Sequence, residues 1–377
     1  MSTLISGRKP HLDILRVLCI FFVVYMHTYI SAPPVHITTG YYIYLMSNMC
    51  IKVAIPIFFM ISGAVLLQKE ETVKTLLSKR IYAFIVIILS TLAIQLFIGT
   101  WLKDSDFFLS LLGKSTHHYL SNLEHDALPI PMSTYWYMYA YLGLLIMLPI
   151  LRPAAQNMKS SAFLYLIAAY IITVFILPII LCLTGYKYLH PLHLHLPFYS
   201  TEVPNIPNGG MNYLFYALVG YYLEHRVTKE QVTKRLLIIL SLASVLCLIA
   251  ACAMMEFTRI QEGRDQVHNF FFATKFTVIP AITLFLLTKH ISANSTILNK
   301  YQFIFAKLGR AVIIVFLFEN IIRHCIAPYH KAWSAALSGY GYASLYLSSI
   351  IQIIVTVAIG LSIGLVLQHI PGIKRYL

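Results

Sequence analysis

The sequence is dominated by ten apolar runs, most of them long enough to cross a lipid bilayer. They cover residues 12–33, 42–67, 81–101, 135–156, 161–184, 211–223, 234–255, 270–290, 303–326 and 341–369. A hydrocarbon core of about 30 Å requires about 20 apolar residues per helix, so these runs predict transmembrane helices. They are far longer than the alternating segments of about ten residues in membrane β-barrels. We therefore predict an all-α fold, a polytopic transmembrane helical bundle of about ten spans.

The composition agrees with a membrane protein and excludes several other classes. Hydrophobic residues make up 59% of the chain and charged residues 11%, whereas soluble chains average about 45–50% and about 25%. The net charge of +14 does not indicate nucleic acid as a partner, because the basic residues lie in short loops between apolar runs. We expect one integral-membrane domain over residues 1–377, surrounded by lipid and without a soluble domain.

The distribution of basic residues predicts the orientation of the bundle. Ten spans place both termini on one side of the membrane. Of the 28 Lys and Arg residues, eighteen lie on that side, eight lie on the other, and Arg16 and Lys52 lie within runs. Since Lys and Arg are enriched in cytoplasmic loops, we predict that both termini are cytoplasmic.

Ionisable side chains interrupt the first run. Arg16 and His27 are eleven residues apart, which at about 100° per residue places them within about 20° of one helix face. About 16 Å separates them along the axis, and Asp13 lies one turn before Arg16, where the two can pair. Such groups are costly in a membrane unless they line a polar cavity. The alternative is that Arg16 reaches the headgroups while His27 bonds a neighbouring helix.

The second run and the loop after it contain further candidates. Residues 58–63 read Phe-Phe-Met-Ile-Ser-Gly, and the small Ser62 and Gly63 permit close helix packing. Lys79 and Arg80 end the following loop. They can act as topological anchors, or they can bind a cytosolic anion such as a nucleotide phosphate.

Aromatic and charged residues mark the fourth and ninth runs. Trp136 and Tyr137 lie in an aromatic segment over 134–141, which can be an interfacial belt or a stacking platform for a sugar ring. In the ninth run, Glu319 and Arg323 are spaced i,i+4 and can pair. Alternatively, Glu319 contributes to a shared polar site.

No metal site or nucleotide motif is predicted. His190, His193 and His195 form a cluster in a long loop, but zinc sites need three or four ligands with supporting partners. We interpret this cluster as a solvated or acceptor-contacting loop. The sequence contains no Walker loop, GxSxG elbow or HExxH motif, so ATP-driven transport has no support.

Four features together match one family of bacterial membrane proteins. They are Leu-Asp-Ile-Leu-Arg at 12–16 with Val-Val-Tyr-Met-His at 23–27, giving Arg-x10-His; Phe-Phe-Met-Ile-Ser-Gly at 58–63; Lys-Arg at 79–80; and Tyr-Trp-Tyr at 135–137 leading to Leu-Pro-Ile-Leu at 148–151. Over essentially the whole chain, the sequence resembles the acyltransferase type 3 family.

The resemblance implies an O-acetyltransferase of the bacterial inner membrane. Its expected donor is cytosolic acetyl-CoA, and its expected acceptor is a hydroxyl of an extracytoplasmic or lipid-linked cell-surface glycan. A neutral His27 suits this chemistry because general-base catalysis of attack by a hydroxyl typically contributes 10²–10⁴-fold. The expected site residues are His27, Arg16 and Glu319 for catalysis; Arg80, Lys79, Ser62 and Arg16 for the donor; and Trp136, Tyr137 and Asp13 for the acceptor.

The chain departs from the family pattern at three positions, and two other functions stay open. Ala83 stands where the family has a second Arg, Thr134 where it often has His before the Trp, and Glu319 where it has a late His. One alternative is a transporter or exporter of polysaccharide or a small solute, which intramembrane charges also fit. The other is a non-catalytic relative with a structural role.

Overall fold

The computed structural model describes residues 8–28, 39–101, 132–183, 211–261, 263, 276–337, 339 and 342–370, with a few residues near helix ends described by their backbone alone. All regular elements in these ranges are helices. They are α1 (Pro10–His27), α2 (Thr39–Ile51), α3 (Ala54–Leu66), α4 (Val73–Thr75), a π-helical segment (Leu76–Ile81), α5 (Tyr82–Trp101), α6 (Met132–Asn157), α7 (Ser160–Tyr170), a second π-helical segment (Ile171–Ile176), α8 (Leu177–Leu183), α9 (Met211–His225), α10 (Lys234–Gln261), α11 (Val278–Asn294), α12 (Thr296–Lys300), α13 (Gln302–Ala336) and α14 (Tyr342–Leu367).

The helices follow the apolar runs, and the predicted all-α membrane fold is confirmed. Six of the described helical segments are long and apolar enough to cross a bilayer: Pro10–His27, Tyr41–Leu66, Val73–Ile94, Tyr137–Asn157, Lys234–Gln261 and Tyr346–Leu367. Ser160–Val174 and Val278–Asn294 are shorter apolar helices. The count of ten spans, the cytoplasmic termini and the single domain over 1–377 stay predictions.

The second predicted run is interrupted, because α2 ends at Ile51 and α3 begins at Ala54. Pro56 explains the break. A proline inside a helix has no N–H to donate, and its ring clashes with the carbonyl four residues earlier, which here is that of Lys52. Lys52 therefore lies in a turn between two helices.

Helix α1 lies at the centre of the bundle and carries the Arg-x10-His pattern. It packs against α2, α3, α11, α13 and α14. Its side chains at Leu15, Cys19, Ile20 and Val24 are fully buried. Because most of the surface of α1 is covered, its polar residues must find partners or a cavity within the protein.

Helices α3 and α9 touch backbone to backbone through two glycines. A Cβ atom at Gly63 would lie 1.8 Å from the carbonyl oxygen of Ala217, and one at Gly220 would lie 2.0 Å from that of Met60. Side chains at either position would force the helices apart. Gly63 thus confirms the predicted packing role of the small residues in 58–63.

The surface of the bundle is apolar along its long helices. Helix α10 exposes Ile238, Ile239, Leu242, Val245, Leu246 and Ile249. Soluble monomers rarely expose continuous apolar patches larger than a few hundred Å², whereas a helix in contact with lipid must expose such residues. These exposed faces identify a multi-pass membrane protein.

Candidate active site

A cavity of about 900 Å³ opens among α1, α3, the first π-helical segment, α5, α6 and α13. This volume lies within the usual range of about 300–1,000 Å³ for small-molecule sites. Its charged lining is almost entirely basic and comprises Arg8, Lys9, Arg16, Lys69, Lys79, Arg80 and Arg310, with Asp13 as the single lining carboxylate among the described residues. The cavity is therefore suited to an anionic ligand.

The cavity follows one face of α1 towards His27. Leu12, Asp13, Arg16, Ile20 and Val23 line it, with the spacing of three to four residues that defines a helix face. From Pro10 to Val23 the helix rises about 20 Å. The predicted polar cavity along the Arg16 face is thus present, and it ends about one turn, or about 6 Å, before His27.

His27 and Glu319 form a pair just beyond this end of the cavity. The Nδ1 atom of His27 is in hydrogen-bond contact with Oε1 of Glu319. Glu319 is 1% exposed, whereas the His27 side chain is 25% exposed. On α13, Phe316 lines the cavity and lies about 4.5 Å along the axis before Glu319. Two neighbouring helices therefore place the pair beyond the same end of the cavity.

The contact with Glu319 determines which nitrogen of the His27 imidazole can act as a base. A neutral imidazole carries one N–H, and an ionised carboxylate only accepts hydrogen bonds. A hydrogen bond between these two forms therefore requires the proton on Nδ1, and it leaves Nε2 as an acceptor with no partner within the described part of the chain. This is the arrangement of a general base whose orientation is set by an acid.

Arg323 supports the pair from the next turn of α13. Its Nη1 donates to the backbone carbonyl of His27, and its Nη2 donates to Oδ1 of Asn320 at 2.6 Å. The sequence suggested that Arg323 could pair with Glu319, but Glu319 instead contacts His27. The close packing of α1 on α13 brings a tertiary partner to Glu319 that i,i+4 spacing alone cannot reveal.

Aromatic side chains form part of the cavity wall. The ring of Tyr137 lies 5.4 Å from that of Phe316 and 5.9 Å from that of Phe58, measured between centroids. All three line the cavity, and we refer to them as the aromatic wall. Ser62 also lines it and donates to the carbonyl of Phe58 at 2.8 Å.

The residues predicted to bind the acceptor do not all lie together. Tyr137 belongs to the aromatic wall, whereas Asp13 lies 14 residues, or about 21 Å along α1, before His27. The side chain of Trp136, and the loop with His190, His193 and His195, lie outside the described residues. Within the described ranges, no group of three or more His, Cys, Asp or Glu side chains could hold a metal ion.

Arg80 lines the cavity but is already engaged by Glu71. Its Nε donates to Oε2 of Glu71 at 2.7 Å, and its Nη2 contacts Oε1. Arg152 donates to the same carboxylate at 2.9 Å and to the carbonyl of Leu66 at 3.0 Å. Hydrogen bonds from Arg80, and to a smaller extent from Arg152, lower the pKa of Glu71 to about 2. Lys79, by contrast, is exposed at the rim of the cavity.

Asp13 binds two arginines at the end of the cavity that is farther from His27. Its carboxylate accepts from Nε and Nη2 of Arg8 at 3.0 Å and 2.5 Å, and from Nη1 of Arg16 at 2.5 Å. The predicted pairing of Asp13 with Arg16 is therefore confirmed. Asp13 is 1% exposed, so this cluster is built into the protein.

Several residues of the site escaped the sequence analysis. Glu71, Asn320 and Arg8 carry no motif that sets them apart from other loop or helix residues, whereas Arg310 is, from the sequence, one of the cytoplasmic arginines that could contact the donor in place of Arg80. The neighbouring Gly309 was a usable signal that Arg310 belongs to the site. A glycine beside a cation on a membrane helix indicates that another helix approaches the backbone closely there. A Cβ atom at Gly309 would lie 2.6 Å from Oδ1 of Asp13.

Comparison with known proteins places the chain in a family. The family model Acyl_transf_3, described as an acyltransferase domain, matches residues 10–369. No curated protein and no solved structure matches the chain. Because the family model covers nearly the whole chain, including most of the cavity lining and the His27–Glu319 pair, the chain belongs to the acyltransferase type 3 family and is a multi-pass membrane acyltransferase.

Proposed function

We propose that this protein is an O-acetyltransferase of the bacterial inner membrane that uses acetyl-CoA to acetylate a cell-surface glycan. The acceptor is a hydroxyl of an extracytoplasmic or lipid-linked polysaccharide. One observation carries the proposal: a basic cavity leads along α1 to within about one helical turn of an imidazole paired with a carboxylate.

The donor half of the proposal rests on charge and shape. CoA combines phosphate groups at one end with a long, narrow, largely uncharged arm that ends in the thioester. The cavity has cations at the Arg8 and Arg16 end and apolar or aromatic side chains at the Val23 end. We infer that the phosphates bind among the cations, with Arg16, Lys79 and Arg80 in the lining, while the acyl end points towards Tyr137 and Ser62.

The catalytic half rests on the His27–Glu319 pair. Nε2 of His27 takes the proton of the acceptor hydroxyl as the oxygen attacks the thioester carbonyl. Glu319 holds the imidazole by its Nδ1–H and stabilises the imidazolium that forms. The tetrahedral intermediate then expels the CoA thiolate, which takes the proton from Nε2. The products are the acetyl ester and CoA thiol, and His27 returns to its neutral state.

An acyl-enzyme route uses the same groups. In that route Nε2 attacks the thioester first and CoA leaves as the thiolate. The hydroxyl then attacks acetyl-His27, which releases Nε2, and the proton of the hydroxyl ends on the CoA thiolate. Orientation by Glu319 serves both routes, because both require Nε2 to be unprotonated at the outset.

The proposal is tested with purified protein, labelled acetyl-CoA and glycan-containing membranes from cells that lack the gene. Wild-type protein should transfer label to the glycan, and His27→Ala should transfer none while inserting and folding normally. Surface glycan acetylation should likewise disappear when the gene is deleted. Absence of label with wild-type protein, or normal transfer by folded His27→Ala, would overturn the proposal, and solute flux by the same preparation would favour a transporter.

A further inference from the structure

We propose that Arg8, Arg16 and Arg310 form a phosphate-binding subsite for the donor, with Arg310 as its principal free contact. The inference rests on the proposed function, because the phosphate is assigned to a nucleotide-bearing donor such as CoA. It assigns a role to Arg310, which the family resemblance leaves without one, and it makes Arg80, which Glu71 already engages, a secondary contact of the donor.

The other lining cations with carboxylate partners, Arg80 and Lys9, each already have a close carboxylate contact. Glu71 binds Arg80 through two hydrogen bonds. Lys9 lies 2.7 Å from Oε1 of Glu224. Lys69 and Lys79 are exposed lysines at the rim, where water and salt weaken their contribution.

The cluster around Asp13 differs because three guanidinium groups share one carboxylate. Arg8 and Arg16 both donate to Asp13, and Arg310 is close enough to interact electrostatically with Arg8 and Asp13. The Nε atom of Arg310 is buried and has no hydrogen-bond partner among the described residues. Three positive charges and one negative charge leave the cluster with an excess of two.

The absence of a side chain at Gly309 lets Asp13 lie close to Arg310. The Asp13 carboxylate lies against α13 there, and a Cβ atom at Gly309 would come within 2.6 Å of its Oδ1. Without a further anion, the cluster keeps like charges together with an unpaired donor, which is unfavourable. A dianionic phosphate supplies both the missing charge and acceptors for planar guanidinium forks.

The direct test measures binding of adenosine 3′,5′-bisphosphate, which carries the 3′-phosphate and one of the two 5′-phosphates of CoA, to purified protein by calorimetry. Arg310→Gln removes the proposed contact, and Lys307→Gln is its matched control because Lys307 lies on the same helix, exposed and outside the cavity lining. Loss of a charge-assisted contact should raise Kd about 10- to 100-fold in Arg310→Gln. Lys307→Gln should stay within about twofold of wild type.

A conservative variant and a thermal melt guard against misfolding. Arg310→Lys keeps the charge but loses the fork, so its Kd should lie between those of wild type and Arg310→Gln. Thermal melts establish that all variants are folded. Equal Kd values for Arg310→Gln and Lys307→Gln, or no binding of the bisphosphate by wild type, would overturn the subsite.

A lipid headgroup is another source of phosphate, and nanodiscs separate the two. If the bisphosphate binds in phosphatidylcholine nanodiscs but not after phosphatidylglycerol is added, the subsite belongs to lipid and the donor assignment falls. Acetyl transfer is measured on the same preparations. Arg310-dependent binding without transfer would overturn the proposed function alone, whereas normal transfer with an unchanged KM for acetyl-CoA in Arg310→Gln would overturn the subsite alone.

Discussion

Replacing Glu319 by glutamine isolates the role of the carboxylate in the His27–Glu319 pair. The two side chains are nearly equal in size, so the packing of a residue that is 1% exposed should survive. A glutamine amide can donate to Nδ1 of His27, which favours the tautomer with its proton on Nε2. That tautomer cannot accept a proton from the acceptor hydroxyl.

The expected loss is large in kcat and small in donor binding. General-base catalysis by a positioned imidazole is worth about 10²–10⁴-fold, or about 2.7–5.4 kcal/mol of activation free energy. We expect kcat to fall by a factor in this range. The KM for acetyl-CoA should change less than about threefold, because Glu319 does not line the cavity.

Glu319→Gln should lower activity without lowering thermal stability. Oε2 of Glu319 is buried and has no hydrogen-bond partner in the described part of the chain. Replacing a buried charge with an uncharged group removes a desolvation cost. Glu319→Gln should therefore have a Tm equal to or above that of wild type, so that lost activity cannot be attributed to misfolding.

The assay compares initial rates of label transfer from acetyl-CoA to glycan in membranes with equal amounts of protein. Glu256→Gln is the control, because Glu256 is another carboxylate of the bundle whose partners are Tyr41 and Arg259 rather than His27. It should transfer at the wild-type rate. Glu319→Gln with more than about a third of the wild-type kcat would refute the assignment of Glu319 as the partner of a catalytic His27, since the smallest expected loss is about 100-fold.

Further changes test the other parts of the structure. Gly63→Ala should lower stability by about 1–3 kcal/mol or more through backbone overlap, whereas Gly143→Ala, with nothing within 4 Å of the added Cβ, should be neutral or stabilising in thermal melts. Arg16→Lys should reduce kcat/KM for acetyl-CoA about tenfold because Lys lacks the planar fork, and wild-type activity would mean that Arg16 only reaches the headgroups. Glu71→Gln should lower Tm near pH 7, and its difference from wild type should shrink as pH falls from above 4.5 towards 2, because a depressed carboxyl pKa stabilises the fold only while the group is ionised. A constant difference across that range would contradict the Glu71 assignment.

The helical fold was predictable because lipid enforces a simple rule. Every backbone polar group in the hydrocarbon core needs an internal partner, so long apolar runs must form helices. The break near Lys52 was harder to predict. Apolar residues continue on both sides of it, and only the position of Pro56 relative to the carbonyl of Lys52 reveals that the helix cannot continue.

The site was predictable where it lies on one helix and less so where it is assembled from several. Helical periodicity correctly indicated that Arg16 and the cavity share a face of α1, because the angle between residues on one helix is fixed. The partner of Glu319 depends instead on how α13 packs against α1. The engagement of Arg80 by Glu71 likewise depends on a turn whose geometry no sequence period encodes.

The separation of the cations from His27 has a chemical consequence. A thioester is hydrolysed if water reaches it together with a base, so a donor pocket that opened directly onto His27 would waste acetyl groups. Val23 and Phe316, which line the cavity, lie about one helical turn before His27 and Glu319 on their helices, whereas Arg16 and Arg310 lie farther back along the same helices. A narrow uncharged arm can pass or displace such side chains, whereas phosphates remain with the arginines, since moving them into apolar surroundings is costly. In the proposed reaction, this arrangement would let the acyl end approach His27 while the charged end of the donor stays near Arg16, about 16 Å away along α1.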